Sequence, residues 1–374
     1  MDNVWILGGL RSFIGVKDGM YRKIPAEILG AQVLKEIKNR FALKDNEIDY
    51  IIGGNAVAGG GNITRLTAGL SEEIPAVTLD LQCGSSLESI ATAAAKIESG
   101  LADLVIAGGF ESSSTQPFRM WNPNHPDYQE GKCYTVAKFI PELQGEQVML
   151  EGAEKTALTE NVTKAEMDPW VLLSHKRAAQ AAKEGILSDI QLSIEGSRKD
   201  EGIRPSMSQR LLDRLPYILP GGKVITAANA CLMHDGAAFV VLCSEKYRKA
   251  HKLSPQAAFR FGTSIGSDPF MSPKTAVLAI RKLFKQTGLS IDEIDSLEVN
   301  EAFAVIDVLL EREFPGIRDR LNPLGGALPY GASGAIILLH LLKNLQVNKG
   351  RFGICGVAAA GGIGTSLLVE RLKA

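Results

Sequence analysis

The sequence lacks the features that mark a disulfide-stapled, zinc-binding or membrane-spanning protein. Its five cysteines are scattered, and neither a CxxC pair nor a histidine cluster is present. We therefore expect no metal site and a reduced, cytoplasmic protein. The formal net charge of −1 gives no reason to expect binding to nucleic acid or to a membrane surface. No apolar run reaches the length of a membrane span, and the N-terminus enters a strand without the basic and apolar leader of a secretion signal.

The chain does contain a regular alternation of strands and helices. Its 374 residues exceed one ordinary hydrophobic core, so two or three domains are expected. The alternation predicts an α/β fold with a mostly parallel sheet covered on both faces. The predicted strands are 4–7, 50–52, 104–107, 237–242, 257–261, 296–299, 353–357 and 365–369, and the predicted helices are 24–38, 87–99, 274–286, 302–313 and 334–344.

Residues 117–222 interrupt this alternation, because they are rich in Pro, Asn, Gln and charged residues and poor in strand signals. This stretch is interpreted as an inserted, partly helical domain whose clearest helix is 169–182. A faint repeat links the two flanking parts. The segments 82–86 and 329–333 each open an apolar helix that leads to a strand and a Gly-rich loop, with Tyr330 where the first segment has Cys83. Two similar halves are therefore predicted.

Cys83 is the most informative residue of the chain. It follows a β-rich run at 76–79 and precedes a helix with apolar residues at Leu87, Ile90, Ala91 and Ala94. The spacing predicts a cysteine at a helix N-terminus, where the helix dipole favours the thiolate and lowers its pKa. The Gly-Ser-Ser that follows lets another group approach the sulfur. Two interpretations remain at this point, a nucleophile or a small buried apolar residue.

Besides the segment around Cys83, the chain contains motifs at 6–15, 107–112, 159–161, 204–205, 226–229, 235–238, 268–269, 300–303, 322–327 and 331–334. Taken together, these motifs resemble those of the thiolase family, and the resemblance runs nearly end to end. The resemblance implies a five-layer α/β/α/β/α fold with two pseudo-symmetric halves. It places the N-terminal half at 1–116 plus 223–250, an inserted loop domain that contributes to coenzyme A binding at 117–222, and the C-terminal half at 251–374.

The resemblance also implies roles for individual residues. Cys83 matches the cysteine that attacks an acyl-CoA thioester, and Asn300 matches the asparagine whose bound water helps to hold the thioester oxygen. Backbone N–H groups of Cys83, Ala360 and Gly361 are the candidate oxyanion donors, since main-chain donors need no particular side chain. The candidate coenzyme A contacts are Arg204, Ser264, Gly266 and Met271, whereas Glu154 and Phe261 replace a histidine and a serine that the family usually has there.

Two acid–base residues of the family pattern are missing. Leu328 stands in place of the histidine of the G-H-P segment, and Ala358 stands in place of the second cysteine. Neither side chain can transfer a proton. Cys355 and Tyr330 lie near these positions and are candidate substitutes, with a packing role as the favoured alternative for each. No histidine matches a catalytic position, and His234 is interpreted as part of a turn and His340 as a packing residue.

The expected function is acyl transfer from an acyl-CoA, resembling acetyl-CoA C-acetyltransferase, in fatty acid or related acyl-CoA metabolism. Two alternatives stay open. One is an acyltransferase or slow thioesterase that uses Cys83 alone, without C–C bond chemistry. The other is a catalytically dead protein that binds an acyl-CoA or a partner. Coenzyme A or acyl-CoA is expected as a substrate, with no permanently bound cofactor, and the resemblance implies a homodimer or a dimer of dimers.

Overall fold

The computed structural model describes residues 4–57, 60–136, 138–141, 145, 147–331 and 333–372. The strands are β1 Val4–Ser12, β2 Gly15–Val16, β3 Tyr50–Gly54, β4 Ala76–Leu79, β5 Leu104–Ser112, β6 Gln191–Leu192, β7 His234–Cys243, β8 Ala257–Gly266, β9 Ser296–Val299, β10 Phe352–Ala359 and β11 Ile363–Arg371. The α-helices are α1 Ala26–Arg40, α2 Gly61–Thr67, α3 Ser85–Glu98, α4 Val148–Thr159, α5 Lys164–Glu184, α6 Gln209–Leu212, α7 Glu245–Ala250, α8 Thr275–Thr287, α9 Val305–Glu313, α10 Ala327–Tyr330 and α11 Ala335–Val347.

The strands form one hydrogen-bonded series in the order β4-β3-β5-β7-β1-β8-β11-β10-β9. The prediction of a mostly parallel sheet is wrong. Within this series only the outer pairs, β3 with β4, β3 with β5 and β9 with β10, are parallel. Outside the series, the short β6 also pairs in parallel with β1. The five pairings between β5 and β10 are antiparallel. One physical reason is the tight β10–β11 connection, which is too short for the crossover that parallel neighbours need.

Three hydrophobic clusters show that the series folds into five layers. α1 packs on the outer face of the first sheet half, through Leu29 and Leu34 against Ile106 and Phe239. A central cluster combines α3 and α11 with residues of both sheet halves. The third cluster joins α8 and α9 to the outer face of the second half, around Leu297 and Ile354. Alternate residues of one strand face different clusters, as Val105 and Ile106 do, which is the period-two pattern of a sheet covered on both faces.

The central layer brings together the starts of α3 and α11, the two segments of the predicted repeat. The hydroxyl of Ser86 accepts a hydrogen bond of 2.8 Å from the backbone N–H of Ala335. A Cβ added to Gly334 would lie 2.3 Å from the Cβ of Ser86, so only glycine permits this approach. Ser89 fixes α3 to the first sheet half, because its hydroxyl donates 2.7 Å to the carbonyl of Gly108.

The described part of the predicted insertion contains α4, α5, β6 and α6. α5 begins with a capping box between Thr163 and Glu166 and ends at Gly185 in the left-handed conformation, signals that together define both helix ends. Trp170 of α5 is buried among residues of α8 and α9, so this segment packs on the C-terminal half. Among the described residues, no helix is long and apolar enough to cross a membrane.

Candidate functional site

Cys83 lies in a tight turn between β4 and α3. The preceding residue, Gln82, has a φ of 51°, a left-handed conformation that is uncommon outside glycine. Ser85 stabilises the turn. Its hydroxyl accepts a hydrogen bond of 2.8 Å from the N–H of Leu81 and donates one of 2.6 Å to the carbonyl of Gln82. Asp80 accepts 2.8 Å from the N–H of Gln82. These bonds stabilise a strained backbone that presents Cys83 at the helix start, as the sequence predicts.

A cavity of about 280 Å³ lies beside Cys83. Its walls come from the ends of β3 and β5 and the starts of β7, α3 and α11, and they include Glu111, Arg119, His234 and Ser333. A larger hollow of about 430 Å³ is lined entirely by residues 121–145 of the inserted segment. The cavity at Cys83 places a thiol at the start of α3 beside Glu111 and His234, so it is the candidate active site.

The pKa of Cys83 moves in the direction opposite to the prediction. Cys83 is accessible to solvent as a residue, but the cavity walls remove water from around its thiol. This burial raises the pKa of Cys83 above its ordinary value. The backbone N–H groups of Ala360 and Cys83 favour the thiolate, and Glu111 and Asp80 disfavour it, but desolvation remains the largest effect. The thiol therefore stays protonated at neutral pH and needs a base.

The backbone N–H groups of Ala360 and of Cys83 itself act on the thiol of Cys83 and favour its ionised form. Their expected role as oxyanion donors stays a prediction. Gly361 lies in the same β10–β11 turn with a φ of 82°, and a Cβ added there would lie 3.3 Å from the carbonyl of Phe139. Its expected role as a third donor remains a prediction.

Sequence reasoning missed two titratable residues of the cavity, Glu111 and His234. Burial raises the pKa of Glu111 to about 7, although backbone and side-chain donors oppose this effect. His234 is the first residue of β7 and pairs with Val16, so its assignment to a turn is wrong. Burial lowers the pKa of His234, which keeps its imidazole neutral at neutral pH. The only sequence signals were their positions, near the ends of neighbouring strands.

Asn300 follows β9 and is buried, and its backbone N–H donates 2.9 Å to the carbonyl of Gly356. Its side-chain oxygen has no hydrogen-bond partner among the described residues, which is compatible with the expected water.

Cys231 was also missed. It pairs through its N–H with the carbonyl of Ala302, and burial and the neighbouring Cys83 raise its pKa to about 12.

The residues at and near the two positions that lack the family's acid–base side chains are buried, and none of them is suited to proton transfer at neutral pH. Leu328 lies in α10, and Ala358 lies in β10 opposite Gly364. Tyr330 donates 3.2 Å to the carbonyl of Leu324, and burial raises its pKa, so it is a poor base. Cys355 is buried in β10 beside Glu298, and burial raises its pKa well above the ordinary value. These placements argue against both candidate substitutes.

The candidate coenzyme A contacts Ser264, Gly266 and Met271 lie along β8 and the 3₁₀ helix at Pro269–Lys274. Ser264 donates 2.9 Å to Glu88 of α3, and Met271 receives a contact of 3.8 Å from the hydroxyl of Thr156 in α4. The turn that carries Ala360 is joined to this region, because the N–H of Ser267 donates 2.7 Å to the carbonyl of Gly362. The candidate contacts therefore extend from the Cys83 site toward the inserted segment.

Arg204 lies apart from these residues. It is exposed, and it borders a cavity of about 120 Å³ that also contacts His175 and Leu328. The N–H of Arg204 donates 3.3 Å to Nδ1 of His175. Glu154 has a structural role, since its carboxylate accepts hydrogen bonds from the N–H groups of 223–225. Phe261 packs on the cluster around α8 and α9.

The fold and the site together define a five-layer α/β protein with a cysteine at a helix start between two similar halves. Comparison with known proteins agrees: the family model of the thiolase N-terminal domain matches residues 4–246 and that of the thiolase C-terminal domain matches residues 253–371. The chain belongs to the thiolase family.

Individual relatives resemble the chain over its whole length. The steroid 3-ketoacyl-CoA thiolase FadA6 of Mycobacterium tuberculosis is 32% identical over 388 residues, covering 100% of this chain and 95% of the relative. The crystal structure of Bacillus anthracis acetyl-CoA acetyltransferase superimposes with a TM-score of 0.91 at 30% identity, covering 100% and 99% of the two chains. The crystal structure of human mitochondrial 3-ketoacyl-CoA thiolase in complex with CoA also superimposes with a TM-score of 0.91, at 27% identity, covering 100% of this chain and 98% of the human one.

Proposed function

We propose that the protein transfers an acyl group from an acyl-CoA and carries that group on Cys83. The observation that carries this proposal is that two backbone N–H groups, from Ala360 and Cys83, act on the thiol of Cys83, a residue that borders an open cavity. Relatives named as an acetyl-CoA acetyltransferase and a 3-ketoacyl-CoA thiolase support acyl-CoA as the substrate class. Fatty acid or related acyl-CoA metabolism is the proposed setting.

Acylation of Cys83 needs few parts. The thiolate adds to the thioester carbonyl, and the N–H groups of Ala360 and Cys83 stabilise the oxyanion that forms. The intermediate then breaks its C–S bond to coenzyme A, which leaves as a thiolate and takes up a proton. Removal of one oxyanion donor in other enzymes costs about 10²–10³ in rate, so a preformed pair is a substantial contribution.

The coenzyme A moiety of the bound substrate is proposed to extend out of the Cys83 cavity along the end of β8. Ser264, Gly266 and Met271 lie on that route, and the turn at Gly362 joins them to Ala360. Arg204 is exposed and is proposed as a phosphate contact farther out. Asn300 is proposed to hold the water of the family mechanism, because its side-chain oxygen has no partner among the described residues.

The placement of Leu328 and Ala358 favours transfer without efficient C–C bond chemistry. Condensation needs a proton taken from a second acyl-CoA, and both positions are apolar and buried. An acyltransferase or slow thioesterase that uses Cys83 is therefore the second candidate.

A homodimer is proposed from the family resemblance alone.

Intact-mass spectrometry after incubation with acetyl-CoA tests the proposal. The mass of the wild type should rise by one acetyl group, and that of Cys83→Ser should not. Cys133→Ser is the matched control, because Cys133 is also accessible but lies in the inserted segment. If the wild type binds coenzyme A in calorimetry but never gains the acetyl mass, with acetyl-CoA or with longer acyl-CoAs, a binding protein without catalysis replaces the proposed enzyme.

A further inference from the structure

His234 lies against the segment that lacks the family histidine. A Cβ added to Gly331 would lie 3.2 Å from Nδ1 and 3.3 Å from Cβ of His234, so the imidazole packs on Gly331. Gly331 follows directly on α10, the helical turn that contains Leu328. The one histidine among the described residues that line the Cys83 cavity therefore packs on the residue that directly follows α10.

The protonation state of His234 suits a base. The carbonyl of Leu232 favours the protonated ring, but burial outweighs it and keeps the imidazole neutral. A neutral imidazole has one nitrogen that accepts a proton. Burial lowers the pKa of His234, and the neighbouring Asp235 opposes this shift only in part.

The other charged groups around the ring are already engaged. Asp235 accepts hydrogen bonds from the N–H and the hydroxyl of Ser114, at 2.9 and 2.5 Å. Glu111 accepts 2.9 Å from the N–H of Ala56 and 3.1 Å from the side chain of Asn55. Arg119, also at the cavity, donates 3.3 Å to the carbonyl of Thr135. Among the described residues that line the cavity, His234 supplies the imidazole, and Glu111, whose pKa is about 7, is a second group that takes up a proton near neutral pH.

We propose that His234 carries the proton of Cys83, as the general base and acid that Leu328 cannot supply. This inference rests on the acyl-transfer function proposed above. The imidazole takes the thiol proton while the sulfur attacks the thioester carbonyl, and the imidazolium forms. When the C–S bond to coenzyme A breaks, the imidazolium returns that proton to the departing sulfur. In this protein the proposed base lies on β7, at His234, and not on α10, where Leu328 replaces the family histidine.

The test compares His234→Gln with His251→Gln, a control because His251 is exposed after α7 and lines neither the Cys83 cavity nor the one beside Arg204. His234→Gln should form the acetyl-Cys83 adduct about 10²- to 10⁴-fold more slowly than the wild type, the usual contribution of a positioned base. His251→Gln should retain the wild-type rate. Thermal unfolding of both variants checks the fold, and if His234→Gln does not fold, His234→Ala with added imidazole should recover part of the rate.

The pH profile separates this role from a structural one. In the wild type, the rate should fall below the pKa of His234, which lies under the ordinary histidine value of about 6.5, whereas Glu111, whose pKa is about 7, titrates in both the wild type and the variant. In His234→Gln that limb should disappear, and the rate should rise with pH toward the raised pKa of Cys83. An unchanged rate and profile in His234→Gln overturns the inference and leaves the proposed function standing.

A wild type that forms no adduct contradicts the function but still allows a test of His234. Alkylation of Cys83 by iodoacetamide needs no acyl-CoA and should be slower in His234→Gln than in the wild type at pH 7. Equal alkylation rates in the two proteins would overturn the inference in that case.

Discussion

The hydroxyl of Ser333 donates a hydrogen bond of 2.9 Å to the backbone carbonyl of Cys83. A residue just before α11 thus holds the turn that presents the candidate nucleophile at the start of α3. The bond from Ala335 to Ser86 lies beside it. The two segments of the sequence repeat therefore build one site together, and the geometry at Cys83 depends on contacts between the two halves.

Gly334 should tolerate no side chain, because an added Cβ would lie 2.3 Å from the Cβ of Ser86 and 3.0 Å from the N–H nitrogen of Leu87. We expect Gly334→Ala to lower the free energy of unfolding by more than about 2 kcal/mol, from overpacking and a strained backbone together. Gly288→Ala is the control, since its φ of 73° is similar but its surroundings are open. Denaturant unfolding measures both, and equal losses would mean that the contact with Ser86 is not tight.

The reactivity of the cysteines gives a second prediction. Cys243 and Cys355 are buried and should resist iodoacetamide in the folded protein, whereas Cys83 and Cys133 are accessible. Cys83 should react before Cys133 despite its raised pKa, because His234 in its cavity is proposed to take the thiol proton as the sulfur attacks. Peptide mass spectrometry at limiting reagent gives the order of labelling. Complete labelling of Cys133 before Cys83 would contradict this assignment.

Much of the fold can be predicted from the sequence, because hydrophobic periodicity is a local property. The strand at 296–299 and the helix at 274–286 lie within a residue of the observed β9 and α8. The direction of neighbouring strands is not local. Apolar strands buried on both faces look alike whether they are parallel or antiparallel, which is why the mostly parallel sheet was predicted wrongly.

The same limit applies to the site. The position of Cys83 at a helix start follows from local patterns, but its pKa depends on cavity walls contributed by distant segments. His234 precedes Asp235 and Gly236, a run that suggests a turn, and the pairing of β2 with β7 shows that a strand begins there. Its contact with Gly331 joins segments from different halves of the chain. No spacing rule reveals such a contact.

Thiolysis of acetoacetyl-CoA should be slow. The kcat should fall well below the ordinary enzyme range of about 1–10³ s⁻¹, because neither Leu328 nor Ala358 can transfer a proton. Steady-state rates under saturating coenzyme A measure it. Cys355→Ser and Tyr330→Phe should leave any residual rate unchanged, since both side chains are buried and their pKa values are raised. A wild-type kcat inside the ordinary range would show that another residue has replaced the missing pair.

The buried carboxyl groups of Glu298, Glu301 and Asp307 should make the protein less stable as the pH rises. Glu298 is fully buried, and neither of its carboxyl oxygens has a hydrogen-bond partner among the described residues. Burial and the nearby Glu301 raise the pKa of Glu298 well above the ordinary value of a glutamate. The folded state therefore holds a proton that the unfolded chain has already lost above about pH 4.3. Stability conferred by that proton is complete below this pH, and it declines by up to about 1.4 kcal/mol per pH unit until the folded pKa is reached.

Replacing Glu298 with glutamine keeps the shape of the neutral acid and removes its titration. Glu298→Gln should therefore unfold with about the same free energy as the wild type at pH 4, and with a higher free energy at pH 8. Glu245→Gln is the control with the opposite sign, because Arg248 lowers the pKa of Glu245 to about 2 and its charge stabilises the folded state. Urea unfolding of the three proteins at both pH values measures the difference. A wild type whose stability does not fall between pH 4 and pH 8 relative to Glu298→Gln would mean that Glu298 is already ionised in the folded protein.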